Sequence, residues 1–256
     1  MTKEVFFIKS QALGNDFVII DNRNGLLNLS INDRILLLDR KYGVGADELL
    51  ILEKSEKADV FMRIYNADGT EAEACGNGTR ACAKLLFNEL KKDTINIETI
   101  VSILECKKVD DLVSVKMSDP IFEWDKIPLS KKLDTSNIDL DILGLDKNIF
   151  KRCMCSNVGN PHLIVLLNDK SKESLDNLDL EKLGAKLEND ILFPQKINVE
   201  FIQILSPNEI RARVWERGTG ETLACGSGSC GIATACIYNK LTNSKVKIIM
   251  KGGELT

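Results

Sequence analysis

Arg63-Ile64-Tyr65-Asn66-Ala67-Asp68-Gly69-Thr70-Glu71-Ala72-Glu73-Ala74-Cys75-Gly76-Asn77-Gly78-Thr79 has a counterpart 150 positions further on. That counterpart is Arg213-Val214-Trp215-Glu216-Arg217-Gly218-Thr219-Gly220-Glu221-Thr222-Leu223-Ala224-Cys225-Gly226-Ser227-Gly228-Ser229, and the two align without a gap. A second pair precedes them: Leu13-Gly14-Asn15-Asp16-Phe17-Val18-Ile19-Ile20 resembles Val158-Gly159-Asn160-Pro161-His162-Leu163-Ile164-Val165. Asn15 lies 60 residues before Cys75, and Asn160 lies 65 before Cys225. Two anchors in the same order at similar separation indicate an internal duplication, with the same fold in each half.

Each Gly-Asn turn feeds a short apolar run rich in β-branched residues, which reads as a buried strand. Further strands are expected at 60–65, 95–98, 103–108 and 112–117 in the first half. In the second half they are expected at 163–167, 199–205, 210–215 and 246–250. Helical patterns cover 32–41 and the stretches after each cysteine, 79–91 and 229–239. Asp119-Pro120 ends a strand pattern, so the expected domains are 1–118 and 119–256. The fold class is α+β, two similar domains each wrapping several strands around a helix.

The chain has 256 residues, enough for two moderate cores. Its net charge of −4, with signs interspersed, gives no reason to expect a nucleic-acid partner. No uncharged apolar run approaches the roughly 18–20 residues of a membrane helix. Val5-Phe6-Phe7-Ile8 is too short for a signal-peptide core. The eight cysteines are therefore read as reduced thiols of a cytoplasmic protein rather than a disulfide framework.

Cys75 and Cys225 stand where a glycine-containing turn enters a helix. The glycines are expected to supply backbone angles closed to other residues and to let a ligand approach. The helix start offers unpaired N–H groups and a positive dipole end, which suit a carboxylate. The same field is expected to lower the thiol pKa from about 8.5 toward neutrality. Cys82, Cys106, Cys153, Cys155, Cys230 and Cys236 read as apolar filler. A structural metal is not expected, because the cysteines lack close pairing and the chain has one histidine. Cys-x-x-Cys is absent, and the Gly-x-Gly pieces complete neither the dinucleotide nor the phosphate-loop signature.

Asn66-Ala67-Asp68-Gly69 running into Ala74-Cys75-Gly76-Asn77-Gly78 resembles the diaminopimelate epimerase family. So does Glu216-Arg217-Gly218-Thr219-Gly220-Glu221-Thr222 running into Ala224-Cys225-Gly226-Ser227-Gly228. Gly14-Asn15-Asp16-Phe17 and Gly159-Asn160-Pro161-His162 match as well, and the likeness runs over essentially the whole chain. The wider superfamily includes proline and histidine racemases on the same duplicated fold.

The resemblance implies two halves, each a curled, mostly antiparallel sheet around a central helix. It also implies a cofactor-independent epimerase whose two thiols face one amino-acid α-carbon from opposite sides, in a cleft between the domains. Cys75 and Cys225 are the expected acid and base. Gly76, Asn77, Gly226 and Ser227 would offer backbone N–H groups to the α-carboxylate as carbanionic charge develops. Asn15, Asn66, Asn160, Asn198, Glu216 and Arg217 correspond to the family's polar pocket, Arg217 suiting a distal carboxylate and Glu216 an ammonium group. His162 is expected to be a structural neighbour of that cleft.

Glu48, in Gly43-Val44-Gly45-Ala46-Asp47-Glu48, stands where the family often has glutamine and joins the expected substrate contacts. Family members usually continue through another strand segment after the position of Gly252-Gly253-Glu254-Leu255-Thr256. The expected reaction converts LL-diaminopimelate to the meso form, for lysine and peptidoglycan precursor synthesis in a bacterium. Alternatives are another amino acid (lanthionine or histidine) on the same fold, or a noncatalytic or metal-stabilised binding protein. The partners expected are a small amino-acid substrate, no nucleic acid and no membrane, with a homodimer implied by the family.

Overall fold

The computed structural model describes residues 4–73 and 75–256. The chain divides into two compact units, Met1–Lys116 and Met117–Thr256. The first carries β1 (Ile8–Ala12), β2 (Asn15–Asp21), α1 (Ile31–Leu38), β3 (Glu48–Glu53), β4 (Val60–Asn66), β5 (Glu71–Ala72), α2 (Gly76–Leu90), β6 (Thr94–Glu98), β7 (Ile103–Val109) and β8 (Leu112–Val115). Its strands form one sheet in the order β1-β2-β3-β4-β6-β7-β8, with β5 added to β4. Pairing is antiparallel except at β2–β3 and β4–β6.

Helix α2 touches β1 at one end of this sheet and β8 at the other, so the sheet curls around it. The inner face buries Phe17, Ile19, Leu50, Leu52, Met62 and Ile64 against Ala81, Cys82, Leu86 and Phe87 of the helix. The alternate residues Val18, Ile20, Leu49 and Ile51 are buried on the outer face with Leu38 of α1. Strands buried on both faces read as continuous apolar runs, which is why Phe17-Val18-Ile19-Ile20 carries no alternation.

The second unit carries β9 (Phe150–Asn157), β10 (Pro161–Leu167), α3 (Lys172–Asp176), α4 (Leu180–Glu188), β11 (Asn198–Ser206), β12 (Glu209–Glu216), β13 (Gly220–Thr222), α5 (Gly226–Tyr238), β14 (Lys247–Met250) and β15 (Gly253–Leu255). The sheet order is β9-β10-β11-β12-β14-β15 with β13 on β12, and the parallel pairs are β10–β11 and β12–β14. Strand for strand, this repeats the first sheet up to β7; β8 has no counterpart among the described residues. Helix α5 packs on β9, β10 and β11. The outer face, with Leu163, Val165, Val199 and Phe201, is covered by Ile127, Leu129, Leu143, Leu175, Leu180 and Leu187 from the connecting segment, α3 and α4.

Several elements depart from the sequence expectation. β1, β3, β5, β9, β13, β15, α3 and α4 are additional. Helix α1 ends at Leu38 because Asp39 turns to an extended conformation (ψ 124°). The helices after the cysteines begin three residues earlier than expected, at Gly76 and Gly226, with the cysteine itself as N-cap. Each Sγ accepts the N–H of the third helical residue, as a serine or aspartate oxygen does at other helix starts.

Candidate active site

In the first unit, Cys75 Sγ accepts the N–H of Gly78 at 3.2 Å and donates to Glu48 Oε2 at 2.8 Å. Asn15, the first residue of β2, directs Nδ2 at the same carboxylate oxygen (3.4 Å) and at the sulfur (3.9 Å). A two-residue turn sets this asparagine in place. Leu13 and Gly14 both take positive φ (56° and 86°), the primed-turn geometry of a tight hairpin. Asn66 sits directly across from Glu48 on β4 and bonds Thr70 Oγ1 at 3.1 Å. The Asn77 side-chain oxygen accepts from Arg80.

The second unit repeats the arrangement. Cys225 Sγ accepts the N–H of Gly228 at 3.4 Å and donates to Glu216 Oε2 at 3.2 Å, with Ser227 Oγ at 3.4 Å. Thr222 of β13 donates to the other Glu216 oxygen at 2.5 Å and so fixes the carboxylate. Asn198 accepts the Arg217 backbone N–H at 2.9 Å and donates to the carbonyl of Pro161 at 2.9 Å. The Arg217 guanidinium reaches the carbonyl of Gln195 at 3.3 Å.

Both units thus place one carboxylate against a capping cysteine and one asparagine on the strand next to that carboxylate, with the two side chains exchanged. Glutamate is on β3 and asparagine on β4 in the first; asparagine is on β11 and glutamate on β12 in the second. The structure gathers Asn15, Glu48 and Gly76 around Cys75, and Glu216, Gly226 and Ser227 around Cys225. Asn198 and Arg217 bond each other, and their remaining bonds go to the carbonyls of Pro161 and Gln195. Asn160 bonds the ring of His162 at 2.9 Å.

Two expectations are corrected. Gly76, Gly78, Gly226 and Gly228 are not among the positive-φ residues. What glycine provides at 78 and 228 is room: a Cβ on Gly78 would lie 3.3 Å from Cys75 Sγ, and one on Gly228 would lie 3.4 Å from Cys225 Sγ and 2.9 Å from Glu200 Oε1. Nor is the Cys225 thiol lowered toward neutrality. Burial pushes it well above the ordinary thiol range and the Glu216 charge adds to that, against weaker pulls from Ser227 and the Gly228 N–H. A helix dipole acts through one turn of partly screened charge; desolvation and a carboxylate in contact outweigh it.

Sequence reasoning missed three groups. Glu188 accepts from Trp215 Nε1 (2.8 Å), the Gly218 N–H (3.0 Å) and Lys196 (3.3 Å), bracing the loop that carries Arg217. Burial opposes its charge, yet these bonds hold its carboxyl below the usual range. Thr222 is the second. The third is Glu200, fully buried and 2.7 Å from His162 Nδ1; a glutamate inside the apolar run Val199–Ile202 is the one sequence signal that could have found it. Among the described residues, no cluster of His, Cys, Asp and Glu is arranged to hold a metal, and no helix is long and apolar enough to cross a membrane.

The family model described as diaminopimelate epimerase matches residues 7–122 and 154–256. The chain is 41% identical over 254 residues to a diaminopimelate epimerase of Rhizorhabdus wittichii, covering 99% of this chain and 87% of the relative. It is 40% identical to that of Agathobacter rectalis, covering 98% and 90%. Among solved structures, a probable proline racemase from Agrobacterium radiobacter superposes with a TM-score of 0.64 at 12% identity, covering 98% of this chain and 83% of the other. That likeness shows the duplicated fold.

Proposed function

The chain belongs to the diaminopimelate epimerase family, and from that premise we propose that it interconverts LL- and meso-diaminopimelate with Cys75 and Cys225 as the two acid–base groups. The observation that carries this reading is the repeated unit of thiol, carboxylate and helix start, in contact at 2.8 Å in one half and 3.2 Å in the other. Inversion at carbon needs one group to take a proton and another to return one to the opposite face. A duplicated fold supplies two equivalent thiols for that purpose.

In each turnover, one thiolate takes the α-hydrogen, breaking the C–H bond and forming S–H. The electron pair left on carbon delocalises into the α-carboxylate. The first-turn N–H groups at Gly76, Asn77, Gly226 and Ser227 stabilise that charge as preorganised donors in this reading, the part a cofactor plays in other amino-acid isomerases. The second thiol then donates its proton to carbon, and the reverse reaction exchanges the roles. Burial and Glu216 favour the protonated form of Cys225, which suits it to act as the resting acid. Glu48 accepts a hydrogen bond from the Cys75 thiol and so holds its sulfur in place. Asn15, Asn66, Asn160 and Asn198 supply polar contacts, and Arg217 takes the distal carboxylate. Such a reaction serves lysine and peptidoglycan precursor synthesis.

The test is a panel of amino acids incubated with the protein in heavy water and followed by proton NMR. The α-proton signal of LL- and meso-diaminopimelate is expected to disappear, with little loss from monocarboxylic amino acids. Comparable exchange with histidine or proline would move the substrate assignment.

A further inference from the structure

The duplication provides an internal control for the layer beneath the second cysteine. In the first unit this layer is apolar. Two methyl carbons of Leu50 lie 3.0 and 3.1 Å from where a Cβ on Gly78 would stand, and Phe17 is fully buried in the same cluster. The parallel registers Phe17–Glu48 and His162–Asn198 match the two halves residue for residue. His162 therefore stands where the first half has Phe17, and Glu200 where it has Leu50. Both are fully buried. Oε1 of Glu200 lies 2.9 Å from a Cβ position on Gly228, and His162 Cγ lies 2.9 Å from that on Gly231.

Packing alone does not ask for this pair, because phenylalanine and leucine close the same layer in the other copy. Burying ionisable groups costs more than burying apolar ones of similar volume. The cost shows here in Glu200 Oε2, which has no hydrogen-bond partner among the described residues. Polar groups kept at that cost in only one copy point to a task specific to that copy.

The hydrogen bonds identify the task. His162 Nδ1 is 2.7 Å from Glu200 Oε1, and Nε2 is 2.9 Å from Asn160 Oδ1. With an oxygen at each ring nitrogen, Nε2 carries a hydrogen and donates it to Asn160, while the hydrogen of the shorter bond lies between Nδ1 and Oε1. Burial pushes the Glu200 carboxyl up against the pull of His162, which favours keeping a proton in that bond. Held by its oxygen, the Asn160 amide turns its Nδ2 hydrogens away from the ring. We propose that Glu200 and His162 are positioning residues that fix the amide of Asn160 with its N–H donors presented to a carboxylate of the substrate. This rests on the reading of Asn160 as a substrate contact.

His162 is the chain's one histidine, so isotope-labelled histidine gives the nitrogen NMR spectrum of a single ring. A hydrogen on Nε2 at neutral pH is expected in the wild type; a bare Nε2 overturns the proposed amide orientation. Kinetics supply the second arm. Asn160→Ala is expected to raise KM roughly 10- to 100-fold, the loss of one hydrogen bond to a charged group, with a smaller change in kcat. The double variant His162→Phe/Glu200→Leu uses the side chains of the other half; it should keep the wild-type circular dichroism and raise KM to a similar extent. Combined with Asn160→Ala it should add nothing further, and additive effects overturn the proposal. Should the double variant fail to fold, Glu200→Leu alone enters the same cycle. An Asn160→Ala enzyme with unchanged KM overturns the underlying reading of Asn160, whatever the ring spectrum shows.

Discussion

At the scale of single residues, each unit holds one sulfur between a helix N–H and a carboxylate. Cys75→Ala and Cys225→Ala are each expected to lower the epimerisation rate at least about 10³-fold, the range of a lost general acid or base. Conversion of LL to meso isomer checks this, and normal turnover by either variant would sink the two-base reading. Glu48 and Glu216 are not equivalent despite the repeat. Glu216 is locked by Thr222 and sits beside a thiol kept protonated by burial. Glu48 stands where the family often carries glutamine, so Glu48→Gln is expected to keep kcat/KM within about tenfold, or roughly 1.4 kcal/mol. Glu48→Leu, which removes every polar partner at that position, should cost more. Equal losses for the two variants would show that the negative charge, rather than the hydrogen bond, is what Cys75 uses.

At the scale of elements, the capping turns work through space left empty. A methyl group at Gly228 would press on Glu200 Oε1 at 2.9 Å and on Cys225. Gly228→Ala is therefore expected to displace the sulfur and lower kcat about 10²-fold, the effect of a misplacement near 1 Å. Steady-state kinetics with a circular dichroism control checks this. Gly184, in α4, has a different duty. A Cβ there would lie 2.4 Å from Cγ of Trp215, so helix and indole are in direct contact. Overpacking of this kind costs about 1–3 kcal/mol. Gly184→Ala should lower the urea midpoint accordingly, and an unchanged midpoint would count against the contact. Because Trp215 also donates to Glu188, which holds the Gly218 N–H, the same substitution should loosen the Arg217 loop and raise KM.

At the scale of the whole molecule, both units bury thiols that take no part in the proposed chemistry. Cys106, Cys153 and Cys236 are fully buried, and burial pushes each up to about 12; Cys82 and Cys155 shift in the same direction. A thiol whose folded pKa exceeds its unfolded value contributes its full stability below the unfolded pKa, near 9, and loses it as pH rises toward 12. Each such thiol removes about 1.4 kcal/mol per pH unit in that window. Urea midpoints should hold up to about pH 9 and then fall steeply; a flat profile to pH 11 would contradict the burial of these groups. Much of this architecture was legible beforehand. The strand cores at 60–65, 163–167 and 210–215 follow from short apolar runs, and the duplication from two ungapped anchors. β1 was not legible: Ile8-Lys9-Ser10-Gln11-Ala12 is half polar and becomes a strand by pairing with β2. Short α3 was equally hidden, since it is stabilised by packing Leu175 into the second core.

The amino-acid sequence by itself determined that the fold occurs twice and that each copy brings a cysteine to a helix start. Those are properties of order and local pattern along the chain. Only the tertiary structure decided what surrounds each sulfur. The cysteine is the helix cap rather than a residue ahead of it, and the glycines leave room rather than bend the backbone. Cys225 is held as a thiol, and a His162–Glu200 pair fills one copy where Phe17 and Leu50 fill the other. The physical reason is that desolvation and Coulomb interactions depend on distance in space and on burial, and neither can be read from separation along the chain.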